Sequence, residues 1–274
     1  MIAKRIMKNK QALLGLAIII LLLLVTIFAP FLAPNDPEAV NIMDKFKASC
    51  PEYPLGTDEL GRCILSRLIV GSRYSLGIAI PIMLTVFCVS LLVGSLSAYL
   101  GKPVDRIVVI LYDIIIAFPV IVIVLALVGA LGQSLGNLFF SLMLALCAAY
   151  TKLVRSYVLQ EKSKDYIAAA KVCESSDIKI IVNHIVPNIV PVLLVNFTIG
   201  IGEAIVMISG FSYLGLGVGA GVPEWGAMLS NAKQYFYSYP QFILYPGLCI
   251  LLCVVGFNLL GEALRDITTP EEQL

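Results

Sequence analysis

Charged side chains are scarce in this sequence: aspartate, glutamate, lysine and arginine together make up 14% of its 274 residues, while 59% of the residues are hydrophobic. A soluble domain carries about 25% charged and about 45–50% apolar residues. The composition therefore excludes an ordinary soluble protein and predicts an integral membrane protein, with lipid as its immediate surroundings. The net charge of +1 provides no overall field that would attract nucleic acid, so we expect no nucleic-acid partner.

Histidine and closely spaced cysteines are also nearly missing. His184 is the one histidine, which excludes most metal or acid–base sites that depend on this residue. The seven cysteines include no C-x-x-C pair, so they predict neither a zinc site nor a disulfide framework. Cys249 and Cys253 share a helical face in an apolar run, which favours small buried residues. Pairing of Cys50 with Cys63 outside the membrane stays open.

A phosphate-binding loop is the third absence. The only Gly-Lys pair, Gly101-Lys102, is followed by proline and lacks the spacing of such a loop. We therefore expect no nucleotide-binding site and no cofactor on this chain.

Long apolar stretches are what the sequence does contain. The first, 11–35, has 25 residues without a charge, which exceeds the apolar core of about 7–15 residues in a secretory signal and predicts a transmembrane helix. Five further stretches approach the roughly 20 residues that a membrane helix needs. They lie at 76–100, 107–131, 136–158, 188–210 and 241–261. The sequence thus predicts an all-α protein with six transmembrane helices.

Lysine and arginine are distributed unequally between the predicted loops. If the N-terminus is cytoplasmic, 13 of these 19 residues lie inside and 6 lie outside, the bias that the positive-inside rule describes. Both termini are therefore predicted to be cytoplasmic. We expect three parts: 1–74 with the first helix and an extracellular loop, a five-helix core at 75–264 that includes a cytoplasmic loop at 159–187, and a cytoplasmic tail at 265–274.

The stretch 165–187 is polar although apolar spans flank it on both sides. Asp165 is predicted to cap a short alanine-rich helix, and Ser175-Ser176-Asp177 indicates a break and a new N-cap. A second, amphipathic helix is predicted to end at Pro187. Its apolar positions recur at helical spacing and are Ile178, Ile181, Val182 and Ile185. So polar a segment cannot span a bilayer; it is either an ordinary solvated loop or a docking surface for a partner.

The order D-Y-x-x-A-A, a break, and then H-I-V-P-N resembles the EAA loop of ATP-binding-cassette importer permeases, in particular the dipeptide, oligopeptide and nickel branch. In that family the loop is the coupling helix that fits a groove on a cytoplasmic ATPase. The resemblance implies that the ATPase contact involves Asp165, Tyr166, Ala168, Ala169, Ala170, Glu174, Ser176, Asp177 and Ile178. The family has glycine where this chain has Glu174, so either Glu174 adopts a strained left-handed conformation or the break has another geometry.

The predicted outer loops resemble the same family. The segment P-L-G-T-D-x-x-G-R-x-x-L-S-R-L-I after the first span contains Asp58, Arg62 and Arg67, and has Cys63 where the family usually has aspartate. Apolar residues of this segment are predicted to lie on one face of a short surface helix, and are Ile64, Leu65, Leu68 and Ile69.

A second outer motif, S-x-L-G-L-G followed by P-x-W-G-x-M-L, carries the one tryptophan, Trp225, which we expect at the membrane–water interface. Either a structural loop or a docking or gating surface is consistent with this pattern. Near the C-terminus, N-L-L-G followed by L-R-D also resembles the family, so the likeness covers most of the chain from about residue 50 onward.

Two carboxylates, Asp113 and Glu203, fall within apolar spans, where a charge at the centre of a helix costs about 2.5–3.5 kcal/mol. Asp113 follows Arg106 by two turns, and a structural role near the cytoplasmic surface is favoured. For Glu203 two interpretations stay open: it faces a translocation path and selects a cationic or amine-bearing substrate, or it is buried and hydrogen-bonded to a neighbouring helix. The family more often has an acid at the position of Ile208.

The resemblance implies a type I importer permease fold and a permease subunit that is not itself an enzyme, in a bacterial cytoplasmic membrane. It also implies a second homologous permease, two ATPase subunits and an extracytoplasmic substrate-binding protein as partners, with peptides, nickel or metal–chelator complexes as cargo. One alternative is an ion-coupled secondary transporter that uses Glu203 and Asp113. Another is an intramembrane protease, which the cytoplasmic position expected for His184 disfavours.

Overall fold

The computed structural model describes residues 9–217, 219 and 221–268, and most of them are helical. The charged residues of the predicted N-terminal tail before Asn9, and the predicted tail beyond Thr268, lie outside the described residues. The helices are α1 Lys10–Leu32, α2 Ile64–Leu100, α3 Val104–Ile116, α4 Val120–Leu131, α5 Leu135–Lys162, α6 Asp165–Val172, α7 Asp177–Ile180, α8 Val186–Tyr213, α9 Trp225–Ala232 and α10 Gln241–Thr268. Short 3-10 turns occupy Ile42–Asp44 and Lys233–Tyr235.

Five helices of the described chain are long and apolar enough to cross a membrane, and a sixth span exists if the bent pair α3 and α4 is counted as one. The all-α membrane fold is therefore confirmed. The expected single span at 107–131 is wrong in detail, because α3 and α4 meet at 87°. Pro119 explains the break: it has no amide hydrogen to donate and disfavours a helical conformation in the residue before it.

The start of α2 differs from the prediction of a separate surface helix before the second span. Ile64 is the first residue of one continuous helix of 37 residues, and Ile64 and Leu68 are buried. The polar residues that made this segment resemble a loop, Ser66 and Arg67, are also buried. They contact other parts of the same chain, so a helix that contains them is stable without exposing them to water.

The second helix of the 165–187 segment does not end at Pro187. The helix from Asp177 runs without interruption to Tyr213, through a π-helical turn at Ile181–Ile185. Proline lacks the amide hydrogen for an intrahelical bond, and its ring crowds the carbonyl of the preceding turn. The wider π turn directly before Pro187 accommodates that ring, so α7 continues into the membrane-spanning α8.

The chain forms two compact units, and the described residues of the first fall within Met1–Pro81, Gln133–Leu135 and Thr198–Ala263. In this unit α1 packs closely on α10: a Cβ on Gly15 would lie 2.8 Å from the backbone nitrogen of Leu260. Small residues that let backbones approach are the usual means of packing helices in membranes. An aromatic cluster holds the outer loop, with the ring of Phe46 stacked 4.5 Å from that of Tyr239.

The second unit falls within Ile82–Gly132, Gly136–Phe197 and Leu264–Leu274. Here α2 and α5 approach at Gly94, where a Cβ would lie 2.9 Å from the carbonyl oxygen of Thr151. Arg155 of α5 donates two hydrogen bonds to Asp105 of α3, at 2.5 and 2.7 Å. This bidentate pairing, the stronger form of an arginine–carboxylate interaction, holds α3 against α5 within the unit that contains the 159–187 loop.

Candidate functional site

The candidate coupling loop, residues 159–187, includes the end of α5 and then α6. The N-cap of α6 differs from the prediction. Lys164 is the N-cap residue and no side chain caps the helix. Asp165 is instead the first helical residue, where its negative charge interacts favourably with the positive end of the helix dipole. Ile167 is 1% exposed and anchors the helix, whereas Ala168 and Ala169 are exposed. The smooth alanine face that the sequence predicted is therefore accessible, with Ala170 half-buried at its edge.

Glu174 ends α6 in the left-handed conformation, with φ of +55°. The amide of Ser175 donates to the carbonyl of Ala170 at 3.2 Å, and the amide of Glu174 donates to the carbonyl of Lys171 at 3.0 Å. This pair of bonds defines a Schellman motif, in which the left-handed position is normally glycine. Of the two alternatives for this position, the structure shows the strained one.

Helix α7 follows after a break at residues 173–176, as predicted. Ser176 occupies the N-cap position, but its side chain makes no capping bond. Asp177 accepts a hydrogen bond from the hydroxyl of Tyr99 at 2.8 Å. The loop is therefore tied to the C-terminal end of α2 by a residue that the sequence analysis did not single out.

The apolar face of the second helix is only partly as predicted. Ile181 and Ile185 are buried, as is Ile180, but Ile178 is 72% exposed and Val182 is also exposed. The predicted four-residue stripe is therefore split into a buried pair, Ile181 and Ile185, and an exposed pair, Ile178 and Val182.

Val172, at the end of α6, is 83% exposed. The two ends of the break thus each present a large apolar side chain, Val172 on one and Ile178 on the other. A partner that covered the break would remove both side chains from water.

Tyr166 ties the base of the loop together. Its hydroxyl donates to the buried carboxylate of Glu161, and the amide of Asn188 donates to the Tyr166 oxygen at 2.9 Å. Burial, together with the hydrogen bond to Glu161, raises the pKa of Tyr166, so its hydroxyl remains protonated and able to donate. Helix α6 is thereby connected to the end of α5 and the start of α8.

The two carboxylates in apolar spans differ in their surroundings. Asp113 pairs with Lys152 of α5, with 2.6 Å between Oδ1 and Nζ, which agrees with the structural role favoured for it. Glu203 lies inside α8 and is exposed. Within the part of the chain that the structure describes, its carboxylate makes no hydrogen bond or ion pair. The described residues of this chain thus provide no helix that bonds to Glu203, and the two interpretations of this residue stay predictions.

The predicted outer-loop residues form a buried ionic cluster. Asp58 lies 2.7 Å from Nε of Arg62 and 3.5 Å from Nε of Arg67. Arg67 also donates to the backbone carbonyls of Pro37 and Gly221, at 2.9 and 3.2 Å. These side chains therefore hold two outer segments together instead of presenting charge to a partner.

Trp225 is buried within the protein, and its predicted position at the membrane–water interface stays a prediction. Its side chain is 1% exposed, and its Nε1 donates to the carbonyl of Leu68 at 3.0 Å. Gly71 allows this contact, because a Cβ there would lie 2.4 Å from the carbonyl oxygen of Pro223. The second outer motif thus packs against the beginning of α2.

Glu224 is a residue that the sequence analysis missed. It is fully buried and caps α9 by accepting hydrogen bonds from the amides of Gly226 and Ala227, at 3.0 and 2.9 Å. The hydroxyl of Ser75 in α2 also donates to it, at 3.0 Å. An acidic residue directly before a short helix was the one available signal.

All seven cysteines are free, so Cys50 and Cys63 do not pair. Among residues 9–217, 219 and 221–268, no group of three or more histidine, cysteine or acidic side chains is arranged to hold a metal ion.

Comparison with known proteins identifies relatives along nearly the whole chain. A family model described as "Binding-protein-dependent transport system inner membrane component" matches residues 90–271, and one described as "N-terminal TM domain of oligopeptide transport permease C" matches residues 1–49.

Three curated relatives are similar to this chain over nearly all of its length. A dipeptide transport system permease protein of Alkalihalophilus pseudofirmus is 35% identical over 268 residues, 98% of this chain and 88% of the relative. A nickel transport system permease protein of Escherichia coli K12 is 34% identical over 257 residues, 94% and 93% of the two chains. A glutathione transport system permease protein of Pectobacterium atrosepticum is 33% identical over 269 residues, 98% and 89% of the two chains.

Proposed function

Because the chain belongs to the family of binding-protein-dependent transport system inner membrane components, we propose that it is the transmembrane permease subunit of an ATP-driven importer. It forms a translocation path with a second, homologous permease and receives cargo from an extracytoplasmic substrate-binding protein. Two separate ATPase subunits bind ATP and Mg²⁺ and drive the cycle. The protein lies in the bacterial cytoplasmic membrane with both termini in the cytoplasm, in agreement with the lysine and arginine bias.

The exposed tip of the candidate coupling loop is the observation that carries this proposal. The base of the loop is fixed by buried and hydrogen-bonded residues such as Ile167 and Tyr166, whereas Val172 and Ile178 expose most of their surface. Fully burying a side chain of this type contributes about 1.5–3 kcal/mol. Binding to a groove on an ATPase subunit that covers both side chains and the alanine face would be stabilised by this free energy. Because the base of the loop is fixed, a movement of the ATPase subunit would also move the helices to which the loop is attached.

The cargo we propose is a peptide, a nickel ion or a metal–chelator complex, and we propose that Glu203 favours cargo that is cationic or carries an amino group. The names of the relatives mention dipeptide, nickel and glutathione; peptides and glutathione carry an amino group, and nickel is a cation. Glu203 is an exposed carboxylate without a partner in the described chain, on a membrane-spanning helix. A charge in that position costs free energy of insertion unless it faces a polar path. We therefore assign Glu203 to the translocation path, where its carboxylate would attract such cargo electrostatically.

The rival mechanism of an ion-coupled secondary transporter gains no support from the structure. It requires carboxylates that exchange ions, and one of its two candidates, Asp113, pairs with Lys152. Family membership likewise favours an ATP-driven importer.

The test is recovery of partners with the tagged chain from its native membrane in a mild detergent, followed by mass spectrometry. We expect a second permease and ATPase subunits with the wild-type chain. Ala169→Arg, which places a long charged side chain on the exposed alanine face, is expected to lose the ATPase subunits and retain the second permease. Ala48→Arg, at an exposed alanine of the outer loop, is the matched control and should retain both. Recovery of the wild-type chain alone would contradict the proposal.

A further inference from the structure

The C-terminal end of α2 is enclosed by the candidate coupling loop. Tyr99, the penultimate residue of α2, is 5% exposed. Its hydroxyl donates to Oδ1 of Asp177, the first residue of α7, at 2.8 Å. A side chain that is largely removed from solvent and bonded to an ionised carboxylate is held in one orientation, because hydrogen bonds to charged groups are stronger than those between neutral groups.

Two lysines hold the same tyrosine from other elements. Lys162, the last residue of α5, donates to the carbonyls of Ala98 and Tyr99, at 3.2 and 2.7 Å. These carbonyls belong to the last turn of α2, where intrahelical donors are missing. The Nζ atoms of Lys162 and Lys171 lie 5.1 and 5.5 Å from the centre of the Tyr99 ring, within the distance of a cation–π interaction. Tyr99 therefore contacts α5, α6 and α7 at once.

These contacts differ in how directly they couple a movement of the loop to the end of α2. The lysine contacts, which include the two hydrogen bonds from Lys162 to the last turn of α2, come from α5 and α6 through long flexible side chains, so none of them connects α7 to α2. The bond from Tyr99 to Asp177 has a short side chain on one end and a ring fixed by burial on the other. A displacement of α7 therefore moves the end of α2 most directly through this bond.

We propose that Tyr99 is a positioning residue that passes the movement of the coupling loop to α2, through its hydrogen bond to Asp177. This inference rests on the proposed function and adds to it the route of the movement: the ATPase subunits move α6 and α7, Asp177 pulls or pushes the hydroxyl of Tyr99, and the last turn of α2 follows. Helix α8, which continues directly from α7, moves with the loop without needing this bond. Tyr99 brings a second membrane-spanning helix into the same movement.

The experiment measures amide hydrogen exchange in the complete transporter, permease pair with ATPase subunits, without nucleotide and with ATP plus vanadate. It needs no cargo. In the wild-type complex we expect ATP plus vanadate to change exchange both in the loop, 165–177, and in the last turns of α2, 94–101. Tyr99→Phe removes one hydroxyl and keeps the ring, so the change in the loop should persist while the change in 94–101 is lost.

Matched variants distinguish the loss of the hydrogen bond between Tyr99 and Asp177 from a general loss of structure. Asp177→Ala should reproduce the loss, and Asp177→Asn, whose amide oxygen still accepts from Tyr99, should restore the response of 94–101. Tyr53→Phe removes a hydroxyl that contacts another aspartate, Asp44, at 3.5 Å in the outer loop, and should leave both responses intact.

If 94–101 still responds in Tyr99→Phe, or does not respond in the wild type whose loop does, the route through Tyr99 is refuted while the proposed docking of the loop stands. If the wild-type loop itself does not respond, or if no ATPase subunits associate with the chain, the proposed function is what fails. A response restored by Asp177→Asn together with its loss in Tyr99→Phe supports the hydrogen bond as the connecting element.

Discussion

Truncating the two exposed apolar side chains at the tip of the coupling loop is the most direct test of what the loop binds. Val172 and Ile178 are 83% and 72% exposed, so their removal leaves no cavity in the free chain and its folding should be unaffected. In a complex that buries both, each lost carbon group costs about 0.8 kcal/mol. Valine to alanine removes two such groups and isoleucine to alanine removes three, which gives about 4 kcal/mol for complete burial.

A loss of about 4 kcal/mol corresponds to a dissociation constant weakened by about a thousandfold. The assay is binding of the purified ATPase subunits to the permease pair held in lipid nanodiscs, comparing wild type with the double variant Val172→Ala, Ile178→Ala. The matched control is Val40→Ala, Ile42→Ala, which removes the same groups from two exposed residues of the outer loop and should leave ATPase binding unchanged.

The reasoning is refuted if the loop variant binds within about 0.5 kcal/mol of wild type, the usual range of surface substitutions. That result would mean that the tip residues stay exposed in the complex and that the ATPase contact uses the alanine face alone.

Three further predictions address single residues. Glu174→Gly removes a left-handed strain of about 1 kcal/mol and should slow amide exchange in 171–177; Glu174→Ala, which keeps the Cβ, should not, and equal effects would contradict the strain. Glu203→Gln should preserve assembly but weaken transport of a cationic cargo by about tenfold or more, since hydrogen bonds to charged groups contribute about 1.5–3 kcal/mol. Uptake assays with nickel, a dipeptide and glutathione check this, with Asp113→Asn as the ion-paired control, and unchanged preference in Glu203→Gln would refute it. Glu224→Ala leaves three donors without an acceptor, two of them buried, and should destabilise the protein by about 3 kcal/mol; Glu224→Gln should cost less, and thermal unfolding in detergent that shows no difference from wild type would contradict the capping role.

The membrane spans could be predicted from the sequence because hydropathy alone determines which segments leave water. The beginning of α2 could not, since hydropathy treats Arg67 as a group that needs solvent. In the structure its guanidinium pairs with Asp58 through Nε and donates through one Nη to two backbone carbonyls from distant segments, while its other Nη is buried without a hydrogen-bond partner among the described residues. The break before Pro119 was visible as a proline in the sequence, but the 87° angle between α3 and α4 depends on packing that no local pattern reports.

In the coupling loop, too, the features set by neighbouring residues could be predicted from the sequence, and the contacts between residues distant in sequence could not. Its two short helices, the break between them and the departure at Glu174 follow from residues that are neighbours in sequence. The bond between Tyr99 and Asp177 joins residues 78 positions apart, and Tyr99 sits at the end of an apolar run where nothing distinguishes it from an interface aromatic residue. The capping of α9 by Glu224 was missed for a related reason, because Ser75, which donates to it, is 149 positions away.

The local weakness of the coupling loop makes those distant contacts decisive. Helix α6 has eight residues, whereas an isolated helix shorter than about 12–15 residues is marginal in water; α7 is the first turn of the long helix that continues to Tyr213. Neither helix has a side-chain cap, and the turn between them contains a strained residue. The shape of the loop is therefore maintained by its attachments, Ile167, Tyr166 and Tyr99, more than by its own propensities. A loop built in this way keeps its shape while the elements to which it is attached move, and for that reason a displacement at its tip is carried into the membrane-spanning helices instead of being absorbed by local unfolding.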